Sequence, residues 1–337
     1  MTVYSRNVLI APLNWGLGHA SRCIPIIRQQ LAYGNKVIIA SDGDSLTLLR
    51  KEFPELDYEE LPSYNISYPS NGKQFIWHML KMSNKIMLAI KNENIILSDL
   101  VEKYKLDLII SDNRFGMYHK GVFSVYLTHQ TNIQAGRFSA IANKFHEHYM
   151  NRFNEIWIPD YEGESSLAGK LSKYNGGQVA KYVGILSRFK FDESIKEMDK
   201  VLIVLSGPEP QRSILEKIIL SEIESINSKI TLVLGKVEKI QRKSIKGNTT
   251  IFNFLTSDDM EREMRESKLV VARSGYSTIM DLKALKKKAF LIPTPGQGEQ
   301  LYLAKYLKNK NICNYVCQDK FSLKEVVNLD SDFTGFR

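Results

Sequence analysis

Cysteine is scarce in this chain: three in 337 residues, Cys23, Cys313 and Cys317. Such a number and spacing exclude a disulfide framework and fit a reducing compartment. The six histidines are scattered rather than gathered with acids at ligand spacing, so no metal is expected. No apolar run approaches the ~18 residues of a membrane span. Met1 to Arg6 lead straight into an apolar strand, with no charged-then-apolar leader, and a cytoplasmic location is expected. Short repeats are also missing. Acidic residues are outnumbered, 37 Asp and Glu against 46 Lys and Arg, for a net charge of +9. That balance favours anionic ligands. The basic stretches 236–246 and 286–288 lack interleaved aromatics, so they read as solvated faces and nucleic acid is not the expected partner.

What is present is an alternation of short apolar runs with helix-length amphipathic stretches. In the first half the strand-like runs are 8–11, 37–40, 106–111, 122–128 and 155–158, and helical stretches include 20–33, 76–90 and 95–104. Continuous apolar runs, rather than alternating ones, mark parallel strands buried on both faces. A polar, poorly periodic stretch at 159–179 reads as the exit from a first domain. The alternation then restarts, with strands at 201–205, 230–234, 250–254, 269–272 and 289–292. Helices are expected at 211–225, 258–266, 278–285 and 299–309, with Asp258 as a cap. The expected fold is α/β: two doubly wound Rossmann-like domains, 1–165 and 166–337, facing across a cleft. Ligands would sit at the carboxyl ends of the strands.

Four turns could carry chemistry. The first is Asn14-Trp15-Gly16-Leu17-Gly18-His19, between a buried strand and a helix. Its glycines let a ligand approach backbone N–H groups, and His19 can move a proton near neutral pH. Ser21 stands where a dinucleotide fingerprint would have its last glycine, which argues against a dehydrogenase. The second is Ser206-Gly207-Pro208-Glu209-Pro210-Gln211-Arg212, where Ser206 and Gly207 could meet an anion and Arg212 could neutralise it. The third is Arg273-Ser274-Gly275-Tyr276-Ser277-Thr278, a strand-to-helix turn with donors for a phosphate. Asp281 follows, read as lying in the first turn and pointing at ribose hydroxyls. The fourth, Pro293 to Gln300, brings Gln297, Glu299 and Gln300 to one strand end, suited to sugar hydroxyls. His129 and Asp112 end further strands and compete with His19 as general base. His146 and His148 read as surface or packing residues.

These four turns, in this order, resemble the GT-B glycosyltransferases, in particular the family 28-like group that includes the lipid II-forming N-acetylglucosaminyltransferase. The resemblance covers most of the chain. Gly16-Leu17-Gly18-His19 is similar to the acceptor-side glycine loop, Ser206-Gly207 to the start of the second glycine loop, and Arg273-Ser274-Gly275 with Asp281 to the donor-site helix. Asp281 stands where the lipid II enzyme has Glu. Pro293–Gln300 resembles the loop that contacts the donor sugar, and Phe254-Leu255 the slot for the uracil ring.

The resemblance implies a hexosyltransferase-type enzyme. It would move a sugar from a UDP-sugar co-substrate to an acceptor hydroxyl with inversion, without metal or other cofactor. His19, His129 or Asp112 would be the base. The acceptor would be a lipid-linked saccharide, a glycan or a small molecule. A lipid acceptor would bring peripheral contact with the inner face of the membrane, with 75–82 as the contacting segment. The competing readings are a UDP-sugar epimerase of the same shape and a non-catalytic nucleotide-sugar-binding protein in which His19 would be dispensable.

Overall fold

The apolar runs become the central strands of two parallel sheets. The computed structural model describes residues 5–64, 75–134, 139–236, 238–328 and 333–337, with 75–83 by backbone alone. The sequence-expected segment 75–82 is helical, and its side chains lie outside what is described. The chain forms two compact units, the first running to Arg188 and the second from Phe189 to Arg337.

The first unit is a seven-stranded sheet in the order β3-β2-β1-β4-β5-β6-β7. Its strands are β1 (Asn7–Pro12), β2 (Lys36–Ser41), β3 (Asp57–Glu60), β4 (Leu108–Asp112), β5 (Phe123–Leu127), β6 (Glu155–Ile158) and β7 (Val179–Tyr182). Every pairing is parallel. Both faces are covered, as the continuous apolar runs require. Val8, Ile10, Val37 and Ile39 pack against Ile24 and Ile27 of helix α1 (Leu17–Ala32). Leu9, Ala11, Ile38 and Ile109 face the other way, against Leu97 and Leu100 of helix α3 (Phe75–Tyr104). Each of these Val, Leu and Ile side chains contributes about 1.5–3 kcal/mol on burial.

Two expectations are corrected here. The first unit extends beyond 165, because Val179–Tyr182 pairs with β6 as a seventh strand. The stretches 76–90 and 95–104 form one helix of 30 residues. The polar residues between them are partners for the neighbouring loop rather than a break. Glu93 Oε1 accepts from Arg114 Nη1 at 2.5 Å, and Asn94 Nδ2 donates to the carbonyls of Gly116 and Tyr118.

The second unit is a seven-stranded sheet in the order β10-β11-β9-β8-β12-β13-β14. Its strands are β8 (Met198–Val204), β9 (Lys229–Val233), β10 (Lys243–Lys246), β11 (Thr249–Phe252), β12 (Ser267–Ala272), β13 (Ala289–Leu291) and β14 (Asn314–Tyr315). Only the β10–β11 pairing is antiparallel among these strands. Ile203, Leu205, Leu215, Ile219 and Leu232 form part of its core. Helix α6 (Ser257–Glu266) is capped by Thr256, whose hydroxyl accepts from Asp259 N, and not by Asp258, which lies inside the first turn.

Candidate active site

A doubly wound sheet opens where the strand order reverses, because the connections leave β1 in opposite directions. In the first unit that point lies between β1 and β4, where Pro12 pairs with Asp112. Gly16, at φ +85° and ψ 159°, turns the chain into α1. The helix starts at Leu17, so Gly18 and His19 stand in its first turn. Asp112, at the end of β4, is the residue facing them.

The three base candidates form one cluster. His19 Nδ1 lies 2.9 Å from Asp112 Oδ1. Arg22, one turn further along α1, grips the carboxylate with both arms: Nε donates to Oδ2 at 2.6 Å, and Nη2 donates to Oδ1. Its Nη1 donates to His129 Nδ1 at 2.9 Å. Asp112 is fully buried, Arg22 and His129 nearly so, while the His19 side chain is 14% exposed.

This geometry separates the roles. Burial alone would raise Asp112, but Arg22 and His19 hold its carboxyl well below the usual carboxylate range. It is therefore ionised and can only accept. His19 Nδ1 lies 2.9 Å from both Asp112 Oδ1 and Arg22 Nη2, so it either donates to the carboxylate or accepts from the guanidinium; the first arrangement leaves Nε2 with the lone pair. Burial pushes the His19 imidazolium to a lower pKa; Asp112 opposes this, while Arg22 and His129 reinforce it. His129 Nδ1 accepts from the Arg22 guanidinium, so that nitrogen points into the cluster. Arg22 is the residue that motif reading missed. Its signal was spacing: three positions after His19 places both on one helix face.

Beneath the cluster, Arg114 is fully buried and ties the strand ends together. Its Nε donates to Pro12 O at 2.9 Å, Nη1 pairs with Glu93 and Nη2 with Asp42. Asn14 completes the frame, donating to Asp42 Oδ2 and accepting from Ser45 N at the start of α2 (Gly43–Glu52).

In the second unit the order reverses between β8 and β12, with Val204 opposite Ala272. Three loops meet at these carboxyl ends. Gly207 is at φ +97°, and a Cβ there would lie 3.3 Å from Thr294 Oγ1. Helix α7 (Tyr276–Ala284) has Gly275 as its N-cap, with no side-chain cap and no acid in its first turn, so the positive end of its dipole is not compensated by an acid in that turn. Ser277 and Thr278 are in that turn. Asp281 lies in the second turn, not the first, because the helix starts at Tyr276. Thr294 Oγ1 is buried without a hydrogen-bond partner among the described residues.

Several expected donor ligands are used by the protein itself. Arg273 is 1% exposed, and its guanidinium donates to the carbonyls of Ile292, Pro293 and Gln211 and to Gln318 Oε1. With no carboxylate beside it, burial lowers it to about 10. Ser274 Oγ donates to Gln300 O, and Gln300 Oε1 accepts from Thr294 N at 2.8 Å. These three residues hold the loops in register instead of reaching outward. Arg212 is paired with Glu209 and Glu216, which neutralise it. Ser206, Gly207, Phe254, Leu255, Gln297 and Glu299 remain at least partly exposed. Phe254 and Leu255 follow β11, where Asn253 fixes the turn by accepting from Arg242 N and Phe254 N.

Comparison with known proteins agrees with the fold. Residues 201–331 match the glycosyltransferase family 28 C-terminal domain. An uncharacterized glycosyltransferase of Methanosarcina mazei is 24% identical over 321 residues, 87% of this chain and 81% of that one. The UDP-N-acetylglucosamine--N-acetylmuramyl-(pentapeptide) pyrophosphoryl-undecaprenol N-acetylglucosamine transferase of Campylobacter jejuni is 28% identical over 149 residues, 42% of this chain and 43% of that one. In fold, the chain is similar to the calicheamicin glycosyltransferase CalG4, with a TM-score of 0.65 at 9% identity, covering 98% of this chain and 90% of that one. It is likewise similar to Acinetobacter baumannii MurG, with a TM-score of 0.55 at 13% identity, covering 96% and 89%.

Proposed function

Since the chain is a glycosyltransferase of the GT-B, family 28-like group, we propose that it transfers a sugar from a UDP-sugar to a lipid-linked acceptor hydroxyl, with inversion and without metal. The observation that carries the reading is the His19–Asp112 pair at the first sheet's switch point. His19 Nε2 takes the proton of the attacking hydroxyl. Asp112 holds the ring in that tautomer and stabilises the imidazolium that forms, as carboxylates do behind catalytic histidines. A single displacement with one base inverts the anomeric centre.

The uncapped N-terminus of α7, with Ser277, Thr278 and the Gly207 turn, takes the diphosphate. The hydroxyl of Thr294 gives that turn one more donor beside Gly207. The dipole and N–H donors at the start of α7 are assigned the leaving-group charge. No helix among the described residues is long and apolar enough to cross a membrane. A lipid-linked acceptor is supported by exposed apolar side chains of the first unit: Met87 and Leu88 on α3, and Ile141 and Phe145 on helix α4 (Ser139–Met150). Tyr149 Oη joins the two helices through Met87 Sδ at 3.1 Å, and Lys85, Lys91 and Lys144 stand exposed around them.

The test is thermal shift with UDP, dTDP, GDP and NAD, followed by UDP release from UDP-sugars in the presence of polyprenyl-diphosphate-linked saccharides. UDP should stabilise the chain and the others should not. His19→Ala should keep that shift and lose transfer by ~10²–10⁴-fold. Near-normal turnover in His19→Ala, or stabilisation by dTDP and not UDP, rules the reading out.

A further inference from the structure

From Asp112 Oδ1, the oxygen that Arg22 and His19 also contact, runs a second chain of polar groups that the reading above does not use. Asn113 Nδ2 lies 3.3 Å from Asp112 Oδ1. Asn113 Oδ1 lies 2.9 Å from Tyr126 Oη. Tyr126 Oη lies 3.1 Å from His146 Nε2. Tyr126 is fully buried on β5, and His146 is 3% exposed on α4. Phe115 packs on both rings and helps screen them from water, while Asn113 is half-buried.

The ionised Asp112 carboxylate sets the direction of the protons along this chain. Asp112 is ionised and only accepts, so the Asn113 atom beside it is the amide nitrogen. The amide oxygen then faces Tyr126, and the phenol must donate to it. A phenol has one proton, so it accepts from His146, whose Nε2 must be the N–H. His146 Nδ1 is then the bare lone-pair nitrogen. It is the one His146 atom that is buried with no hydrogen-bond partner among the described residues. A missing acceptor contact costs less than a missing donor contact, which agrees with that tautomer. Asn113 sits at φ +59°, a left-handed conformation that Asn tolerates better than most side chains.

We propose that Asn113, Tyr126 and His146 form a hydrogen-bonded relay that orients the Asp112 carboxylate and, through it, fixes the proton of His19 on Nδ1. They are positioning residues, and none of them touches substrate. The proposal rests on the His19–Asp112 reading above. The relay also shares the charge of Oδ1, so Asp112 holds a His19 cation less tightly than an unassisted carboxylate would. The other groups facing the pair are Arg22 and His129, with Cys23 Sγ 3.7 Å from Asp112 Oδ2. Burial keeps His146 itself at about 4, so it stays neutral at working pH and the direction of the relay does not reverse.

The test is a pH titration of the full chain, labelled with ¹⁵N-histidine, by NMR, with melting temperature measured alongside. His19→Ala and His146→Gln assign the two rings. Wild-type His19 should be the Nδ1–H tautomer. Tyr126→Phe and His146→Leu should raise its midpoint by roughly 0.5 unit and loosen the tautomer. His146→Gln, whose amide N–H can replace Nε2–H, should restore wild-type behaviour. The Leu and Gln variants decide the matter even if Tyr126→Phe fails to fold. An unmoved His19 in folded His146→Leu overturns the relay. Asp112→Asn separates the two failures: if it shifts His19 while His146→Leu does not, only the relay falls. If it too leaves His19 unmoved, the base assignment falls with it.

Discussion

His19 and Asp112 together set how the protein should respond to acid. Asp112 is held below its unfolded value, so its contribution to stability is present above about pH 4 and lost as pH falls through the folded midpoint. His19 is also held down, by burial first. Below about pH 6.5 the unfolded chain binds that proton more readily than the folded one, so stability falls on acidification from this group too. Urea unfolding at pH 7.5, 6 and 4.5 should show a monotonic loss of stability. The acid limb of kcat/KM should lie below the usual histidine midpoint, and an acid limb above 7 would contradict the assignment. Arg22→Met should cost about 3–5 kcal/mol, because it strands a buried carboxylate, with denaturant unfolding as the measure. Motif reading found His19, His129 and Asp112 as three rivals for one role. It could not see that Arg22 joins them, since that contact depends on β1 and β4 being neighbours across about a hundred residues.

Gly16 shows what an element boundary contributes. Its φ of +85° with ψ of 159° lies in a region kept for glycine, and a Cβ there would meet nothing within 4 Å. Gly16→Ala therefore acts through the backbone alone, at about 1–3 kcal/mol. It should also turn the first helical turn, and His19 with it. We expect at least a tenfold loss of kcat/KM with UDP binding unchanged in thermal shift; unaltered kcat/KM would mean that this turn does not aim His19. At this scale the sequence was informative about central strands, whose apolar runs are long and β-branched. It was poor for β3, β7, β10 and β14, which are short, polar or exposed and take their conformation from pairing. The same limit explains α3: Glu93 and Asn94 look like a break until Arg114 and the loop after β4 are seen to need them.

As a whole molecule the chain has two units, each with its own core. Nucleotide assigned to the second unit should act first on that unit's unfolding. Scanning calorimetry with UDP at about 100 times Kd should raise the transition of the second unit by about 2.7 kcal/mol of stability, and His19→Ala should leave that increment intact. If UDP stabilised only the transition of the first unit, the donor site would have to move there.

The sequence by itself determined the α/β class, the two successive sheets and the turns that end their strands. These follow from local pattern: apolar run, glycine turn, amphipathic helix. Only the tertiary structure decided which side chains at those turns face outward. Arg273, Ser274 and Gln300 stand in the same motifs as Ser277 and Thr278, yet the first three bond the loops to one another. Sequence carries no sign of that difference, because it is set by which strand ends become neighbours. The same is true of the path from His146 through Tyr126 and Asn113 to Asp112. It joins β4, β5 and α4, and it exists only once the sheet has brought those elements together.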